Sequence, residues 1–245
     1  MADFDDSRWA DSKFSHLYTE HANIYIPERP SFFRFLDYFY SYFLKDKKDV
    51  SVLDLGAGSG EMARMLLESY GHYKNLSVTI NDGSDEMISI AKDKLKDHDS
   101  VDYIRATFEE LLADPSKLGT YDLTYSSLAI HHLTREDKKK LYSLIYEHTL
   151  PNGYFINMDV LLSPTESLED FYIDIRKKRG AEVKKALGKV DYNDDFVERH
   201  KEPSHHSKMD TLKDQLADIE DAGFTDIDCY FKHGMFAVFG GRKSP

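Results

Sequence analysis

The hydrophobic pattern of this chain breaks into short apolar runs separated by longer amphipathic stretches. Residues 50–55 form an apolar run with β-branched members, closed by Gly56, Gly58 and Gly60, which predicts a buried parallel strand turning tightly into a helix from 59 to about 70. Further strands are predicted at 76–81, 101–105, 155–160, 225–231 and 235–239, and another begins at Tyr121. Ser84 reads as the N-cap of a helix with Met87 at its third position, Thr134 as the cap of a helix over 135–148, and 211–222 as a further helix. Alternation of this kind predicts an α/β chain, a three-layer sandwich around a mostly parallel sheet whose last strand is antiparallel.

Two stretches depart from that alternation. Residues 7–46 precede the first strand and are crowded with aromatic residues, which predicts two helices, one over 7–21 and one starting at Pro30 or Ser31. Their rings either pack on the sheet edge or a partner subunit, with a homodimer as one outcome, or form a helical lid. Residues 161–209 are longer than a strand-to-helix connection needs and read as an insertion with a helical first half, 166–187, carrying a basic cluster that includes Arg176, Lys177, Lys178 and Arg179. Its second half holds His200, His205 and His206, at spacings that match no standard zinc pattern, so no metal is expected.

Composition narrows the partners. A net charge of -12 repels polyanions, so nucleic acid and anionic membranes are disfavoured and a small molecule is expected. Cys229 is the single cysteine, which precludes an intrachain disulfide, and no basic-then-apolar leader or bilayer-length apolar run is visible. A cytoplasmic single-domain protein over 1–245 is the expectation, with 7–46 as an N-terminal lid and 161–209 as a cap on the acceptor side.

The chemistry starts at the glycines. Glycine permits positive φ and close approach of a ligand to the backbone, while the helix that follows presents its free amides. A dinucleotide fingerprint begun at Gly56 would need a glycine where Glu61 stands, which argues against a pyrophosphate ligand. Asp82, at the end of the second strand, is placed to accept both hydroxyls of a ribose. Met87, at the third position of the helix capped by Ser84, is placed to lie on an adenine ring.

The sequence D-L-G-A-G-S-G at 54–60, with D-G-S-D-E-M at 82–87, resembles the first two motifs of the class I S-adenosylmethionine-dependent methyltransferases. The stretch D-L-T-Y-S-S-L-A-I-H-H-L at 122–133 resembles the fourth motif of that family's small-molecule branch, and L-P-N-G-Y-F-I-N at 150–157 its usual approach to the fifth strand. Within that branch the chain is similar to trans-aconitate methyltransferase-like proteins and carboxy-S-adenosylmethionine synthase. The resemblance implies S-adenosylmethionine as cofactor, held by Asp54, Gly56, Ala57, Gly58, Gly60, Asp82, Gly83, Met87, Phe108, Ser126 and Ser127. Thr107 stands where many members have an aspartate on the adenine amino group. Tyr18, Tyr25 or Arg29 of the lid would meet the methionine part, since a guanidinium suits a carboxylate.

The implied reaction is in-line attack by a small-molecule acceptor on the cofactor methyl group, in which alignment and exclusion of water do most of the work. Where the acceptor must lose a proton early, His131, His132 or Tyr125 is the base. Two alternatives stand beside methyl transfer. One is a carboxy-S-adenosylmethionine synthase with Arg29 or Arg199 beside the sulfonium substituent, and the other is a binding protein without catalysis.

Overall fold

The computed structural model describes residues 11, 15, 16, 19, 22, 26–70, 76–187 and 200–245. Seven strands form one sheet: β1 (Val50–Leu55), β2 (Leu76–Asp82), β3 (Val101–Arg105), β4 (Tyr121–Ser127), β5 (Thr149–Val160), β6 (Thr225–His233) and β7 (Phe236–Arg242), in the order β3-β2-β1-β4-β5-β7-β6. β1 to β5 are parallel, whereas β7 runs antiparallel between β5 and β6. The expected Rossmann-like α/β sandwich is therefore present. The strand order reverses between β1 and β4, and in open α/β sheets the crevice at that switch point is where ligands bind.

The helices are α1 (Arg29–Phe43), α2 (Glu61–Tyr70), α3 (Asp85–Lys94), α4 (Phe108–Ala113), α5 (Arg135–His148), α6 (Glu166–Leu187), α7 (Pro203–His206) and α8 (Leu212–Asp221). Each sheet face carries its own apolar core. On one, Phe32, Leu36, Leu66 and Ile88 cover Val52, Val78 and Leu123; on the other, Leu141, Ile145 and Ile219 cover Leu53, Phe155 and Phe239. None of the described helices is long and apolar enough to cross a membrane.

Three sequence expectations change in detail. The segment 150–154 is not a turn ahead of the fifth strand but part of β5, which starts at Thr149 and slips register against β4 between Tyr121 and Leu123. Asn152 absorbs the irregularity at φ 64°, which asparagine tolerates, while the Asn152 amide and the Gly153 carbonyl pair with the backbone of Lys243. α2 begins at Glu61 rather than Ser59, because the glycine turn runs to Gly60. β6 and β7 extend to His233 and Arg242, beyond the ends expected for the last two strands.

The aromatic N-terminal region divides at α1. Its Phe32, Phe33, Leu36, Phe39 and Tyr40 are buried, with Phe39 edge-on to Tyr154 at 5.0 Å and Tyr40 tilted against Tyr70 at 4.5 Å. α1 is thus part of one helical layer, its buried aromatics packed on the sheet side and Tyr38, Tyr42 and Phe43 exposed. The expected first helix over 7–21 lies largely outside the described residues, as do Tyr18 and Tyr25. At the head of α1, the Arg179 guanidinium from α6 donates to the buried Glu28 carboxylate at 2.8 Å, and the His233 ring lies 3.3 Å from the same oxygen. The insertion leaves and rejoins the sheet at one place: the Leu162 amide donates to the Asp210 carbonyl, and Leu162 bridges Thr211.

Candidate functional site

Gly56, Gly58 and Gly60 adopt φ values of +69°, +56° and +69°, so the turn after β1 uses left-handed backbone at alternate positions. At Gly56 an added Cβ would fall 2.5 Å from Ala129 Cβ and 3.1 Å from Phe108 Cζ, so the turns after β1, β3 and β4 converge on it. At Gly58 an added Cβ would meet no atom within 4 Å. That open space is the cradle a ligand would occupy. The Ala57 amide donates to the Asn81 carbonyl at 2.8 Å, which holds the turn beside the end of β2.

Asp82 sits at that end, partly buried, with the Gly58 amide donating to Oδ2 and the Ser84 amide to Oδ1, each at 2.8 Å. Burial raises its carboxyl above the usual carboxylate range, against the amides of Ser84, Gly58 and Gly83 and the charge of Arg105. Ser84 caps α3 as expected, its hydroxyl accepting from the Met87 amide at 3.2 Å, and the Met87 side chain is buried. Thr107 is engaged in a capping box with Glu110 at the start of α4, which occupies its hydroxyl and leaves Phe108 to face Gly56.

Asp54 does not line the open cradle. It is buried, accepts from the Tyr125 hydroxyl at 3.0 Å and from the Ala63 amide, and so braces the first turn of α2. Burial pushes its carboxyl up to about 7, with the Tyr125 bond and the positive charge of Arg29 acting the other way. Arg29, half-buried at the head of α1 with its guanidinium 5.3 Å from the Phe33 ring centre, therefore stands within electrostatic reach of the cradle's floor.

The turn after β4 carries the histidines. Ser126 is buried, its hydroxyl without a hydrogen-bond partner among the described residues, and Ser127 is half-buried. Leu128 takes φ 58°, a region bulky residues rarely use, held by its amide donating to the Met158 carbonyl. His131 is pinned by Asp159 of β5: its backbone amide donates to Oδ2 at 3.0 Å, and its Nδ1 lies 2.6 Å from Oδ1. The remaining ring nitrogen, Nε2, is then the one able to take a proton. His132 is half-buried, and burial, reinforced by His131, His205, Lys208 and Lys138, holds it well below its usual 6.5.

Tyr125, expected as a possible base, has its hydroxyl inside the sheet against Asp54. Burial and the Asp54 charge raise it well above 10, so this position gives it neither access to an acceptor nor the acidity to exchange a proton near neutrality.

A family model described as "Methyltransferase domain" matches residues 52–153, from β1 through the irregular start of β5. The chain is 26% identical over 204 residues to the carboxy-S-adenosyl-L-methionine synthase of Nautilia profundicola, covering 80% of this chain and 78% of that protein. It is also 26% identical over 206 residues to the ubiquinone/menaquinone biosynthesis C-methyltransferase UbiE of Citrobacter koseri, covering 80% and 75%. These matches support a class I S-adenosylmethionine-dependent methyltransferase. Among solved structures, an O-methyltransferase family protein from Burkholderia thailandensis has the same fold, with a TM-score of 0.65 at 14% identity over 98% of this chain, which spans 63% of that one.

As a methyltransferase the chain takes S-adenosylmethionine, and the open space at Gly58 beside Asp82 fits an adenosyl group on the observed geometry. Two neighbours of His131 were not linked to it by the sequence. Asp159 orients His131 from a neighbouring strand 28 residues further on, and His205 reaches the same turn from the insertion. Only their spatial neighbours give them away. The expected Arg199 beside the sulfonium lies outside the described residues.

Proposed function

We propose that this enzyme transfers the methyl group of S-adenosylmethionine to a small-molecule acceptor held between the glycine turn and the insertion, residues 161–209. The open cradle at Gly58, where every other glycine-turn contact is filled, is the observation that carries the reading. Asp82 would exchange its bond from the Gly58 amide for the ribose hydroxyls, and Arg29 would take the methionine carboxylate over the turn. Residues 7–46 are read as a helical lid on the cofactor side, in which Arg29 stands within electrostatic reach of Asp54. When bound, the cofactor supplies an electrophilic methyl on sulfonium. The acceptor atom forms a bond to that carbon as the carbon–sulfur bond breaks, and the acceptor's proton leaves to a base.

His131 is the base this geometry favours, because Asp159 fixes its ring and tautomer and leaves Nε2 available. A net charge of -12 favours a small acceptor over nucleic acid or an anionic membrane and accords with a cytoplasmic enzyme. Calorimetry with S-adenosylmethionine, followed by detection of S-adenosylhomocysteine with a panel of small phenolic, carboxylate, amine and enolic acceptors, tests the proposal. Binding with turnover of at least one acceptor is expected, and absence of cofactor binding overturns it.

A second reading follows from the relative that makes carboxy-S-adenosylmethionine, which matches over 80% of this chain. In that reading the ligand is altered at its sulfonium substituent and no acceptor is methylated. Mass spectrometry of ligand retained through purification separates the two readings, since a carboxylated ligand supports only the second.

A further inference from the structure

The carboxyl half of α1 leaves large rings in solvent beside a groove that its neighbours do not fill. Tyr38 is 64% exposed, Tyr42 83% and Phe43 46%. The groove has a volume of about 530 Å³ and is lined chiefly by aromatic rings. Phe35 stacks on Tyr230 of β6 with ring centres 5.2 Å apart, while Phe39 and Phe43 lean on Tyr154 of β5 at 5.0 Å and 5.1 Å. Tyr42 stands edge-on to Phe43 at 4.8 Å and projects from the rim. The groove shares no residue with the glycine turn or with the turn after β4.

Contiguous exposed apolar surface marks a place of interaction, and the charges here point to what covers it. At a net charge of -12, two copies of the chain repel each other across most of their surface. The charged residues lining the groove are one acid and one base, Asp226 and Arg242, so this face adds no like-charge repulsion. Arg242 donates to Asn152 through Nη2, but its Nη1 lies 3.7 Å from Asp226 Oδ2, too far for a hydrogen bond. Its Nε is buried with no hydrogen-bond partner among the described residues. A two-fold axis beside the groove would set Asp226 of one copy against Arg242 of the other, twice over. The same axis would let Tyr42 of each copy enter the groove of the other, since knob and groove stand on one face.

Strand addition is the other way for copies to join, and β6 is the free edge of the sheet. Its pairing with β7 shifts register between Thr225 and Asp228 and again between Cys229 and Phe231, and it carries Asp226, Asp228 and Lys232. Irregularities and charges of this kind discourage edge pairing, which leaves the side-chain face. We propose that this face, Tyr38 to Phe43 of α1 with Tyr154, Tyr230 and Arg242, is the interface of a two-fold homodimer of this chain. The interface uses none of the residues assigned to the cofactor or the base, so it stands apart from the proposed function.

Sedimentation velocity of the full chain, at loadings from about 0.5 to about 100 µM, tests this. The wild type should pass from monomer to dimer across that range. Tyr42→Ser should weaken the dimer by about thirtyfold or more, as loss of a central aromatic anchor does. Asp226→Asn should weaken it by about tenfold, through the lost charge pairs. Both side chains are exposed, so the thermal midpoint in dilute solution should not move. A wild type that stays monomeric at about 100 µM overturns the proposal, and so does a dimer whose affinity Tyr42→Ser leaves unchanged. A monomeric wild type that binds 1-anilinonaphthalene-8-sulfonate, with binding lost in Tyr42→Ser, gives the groove to a small aromatic anion and also overturns the dimer. Failure of cofactor calorimetry counts against the proposed function alone and leaves the sedimentation result standing.

Discussion

The Tyr125 hydroxyl donates to Asp54 Oδ2 at 3.0 Å in the interior of the sheet, so two side chains of the most chemically suggestive motifs face each other rather than a ligand. The pairing has a pH signature. Burial raises the Asp54 carboxyl to about 7 in the folded chain, whereas an unfolded aspartate titrates near 3.9. The native state then binds more protons between those values, and folding stability should decline as pH rises from about 4 to about 7 before levelling. Asp54→Asn removes the titration. Urea denaturation at about pH 5 and about pH 8 should show the wild type losing on the order of 3 kcal/mol more than the variant, and parallel losses would contradict the assignment.

The glycines of the turn should separate fold from binding. Gly56→Ala forces a Cβ to 2.5 Å from Ala129 and should destabilise the fold by about 3 kcal/mol, seen as a fall in thermal midpoint. Gly58→Ala meets no neighbour, so only backbone strain of about 1–2 kcal/mol is expected in the free protein. Its cofactor affinity should nevertheless fall by about tenfold or more, because the new methyl group occupies the cradle. Equal effects of the two substitutions on affinity and on stability would mean the cradle lies elsewhere.

Asp82→Ala removes a carboxylate that fixes the Gly58 and Ser84 amides and is placed to hold the ribose. Affinity for S-adenosylmethionine should drop by about a hundredfold by calorimetry, in keeping with charge-assisted bonds of about 1.5–3 kcal/mol each. Retained affinity would remove Asp82 from the cofactor site.

Asp159→Asn replaces an acceptor of three donors by a group that must turn its amide toward one of them. A cost of about 3 kcal/mol in folding free energy is expected, together with a fall in turnover of about a hundredfold at an unchanged cofactor affinity. Stability loss with unaltered turnover would make His131 a structural residue and leave the base unassigned.

The parts of the site that the sequence displayed are those whose residues act close together in the chain. The glycine turn, Ser84 capping Met87 and Asp82 at a strand end depend on local spacing, and the structure places them side by side. The parts it concealed depend on which strand lies next to which. Tyr125 reads as a candidate base until β4 is seen buried along its length, where a tyrosine hydroxyl must find a buried partner. Asp159 gains its role only because β5 lies beside β4, and His205 only because the insertion folds back over the turn. Of the two readings of the aromatic helix, packing on the sheet is the one that the burial of Phe32, Phe39 and Tyr40 displays, since large rings suit that setting as well as they suit a cover.

β7 carries a consequence for the order of events during synthesis. It is last in sequence among the strands yet lies between β5 and β6, with its residues 236–242 paired on both sides. Until it emerges from the ribosome, β5 presents an open edge to other nascent chains and β6 has nothing to join, so the half of the sheet that supports Asp159 and His131 is assembled last. The glycine turn between β1 and β2 belongs to strands made early, whereas the setting of His131 and Asp159 must wait for β7.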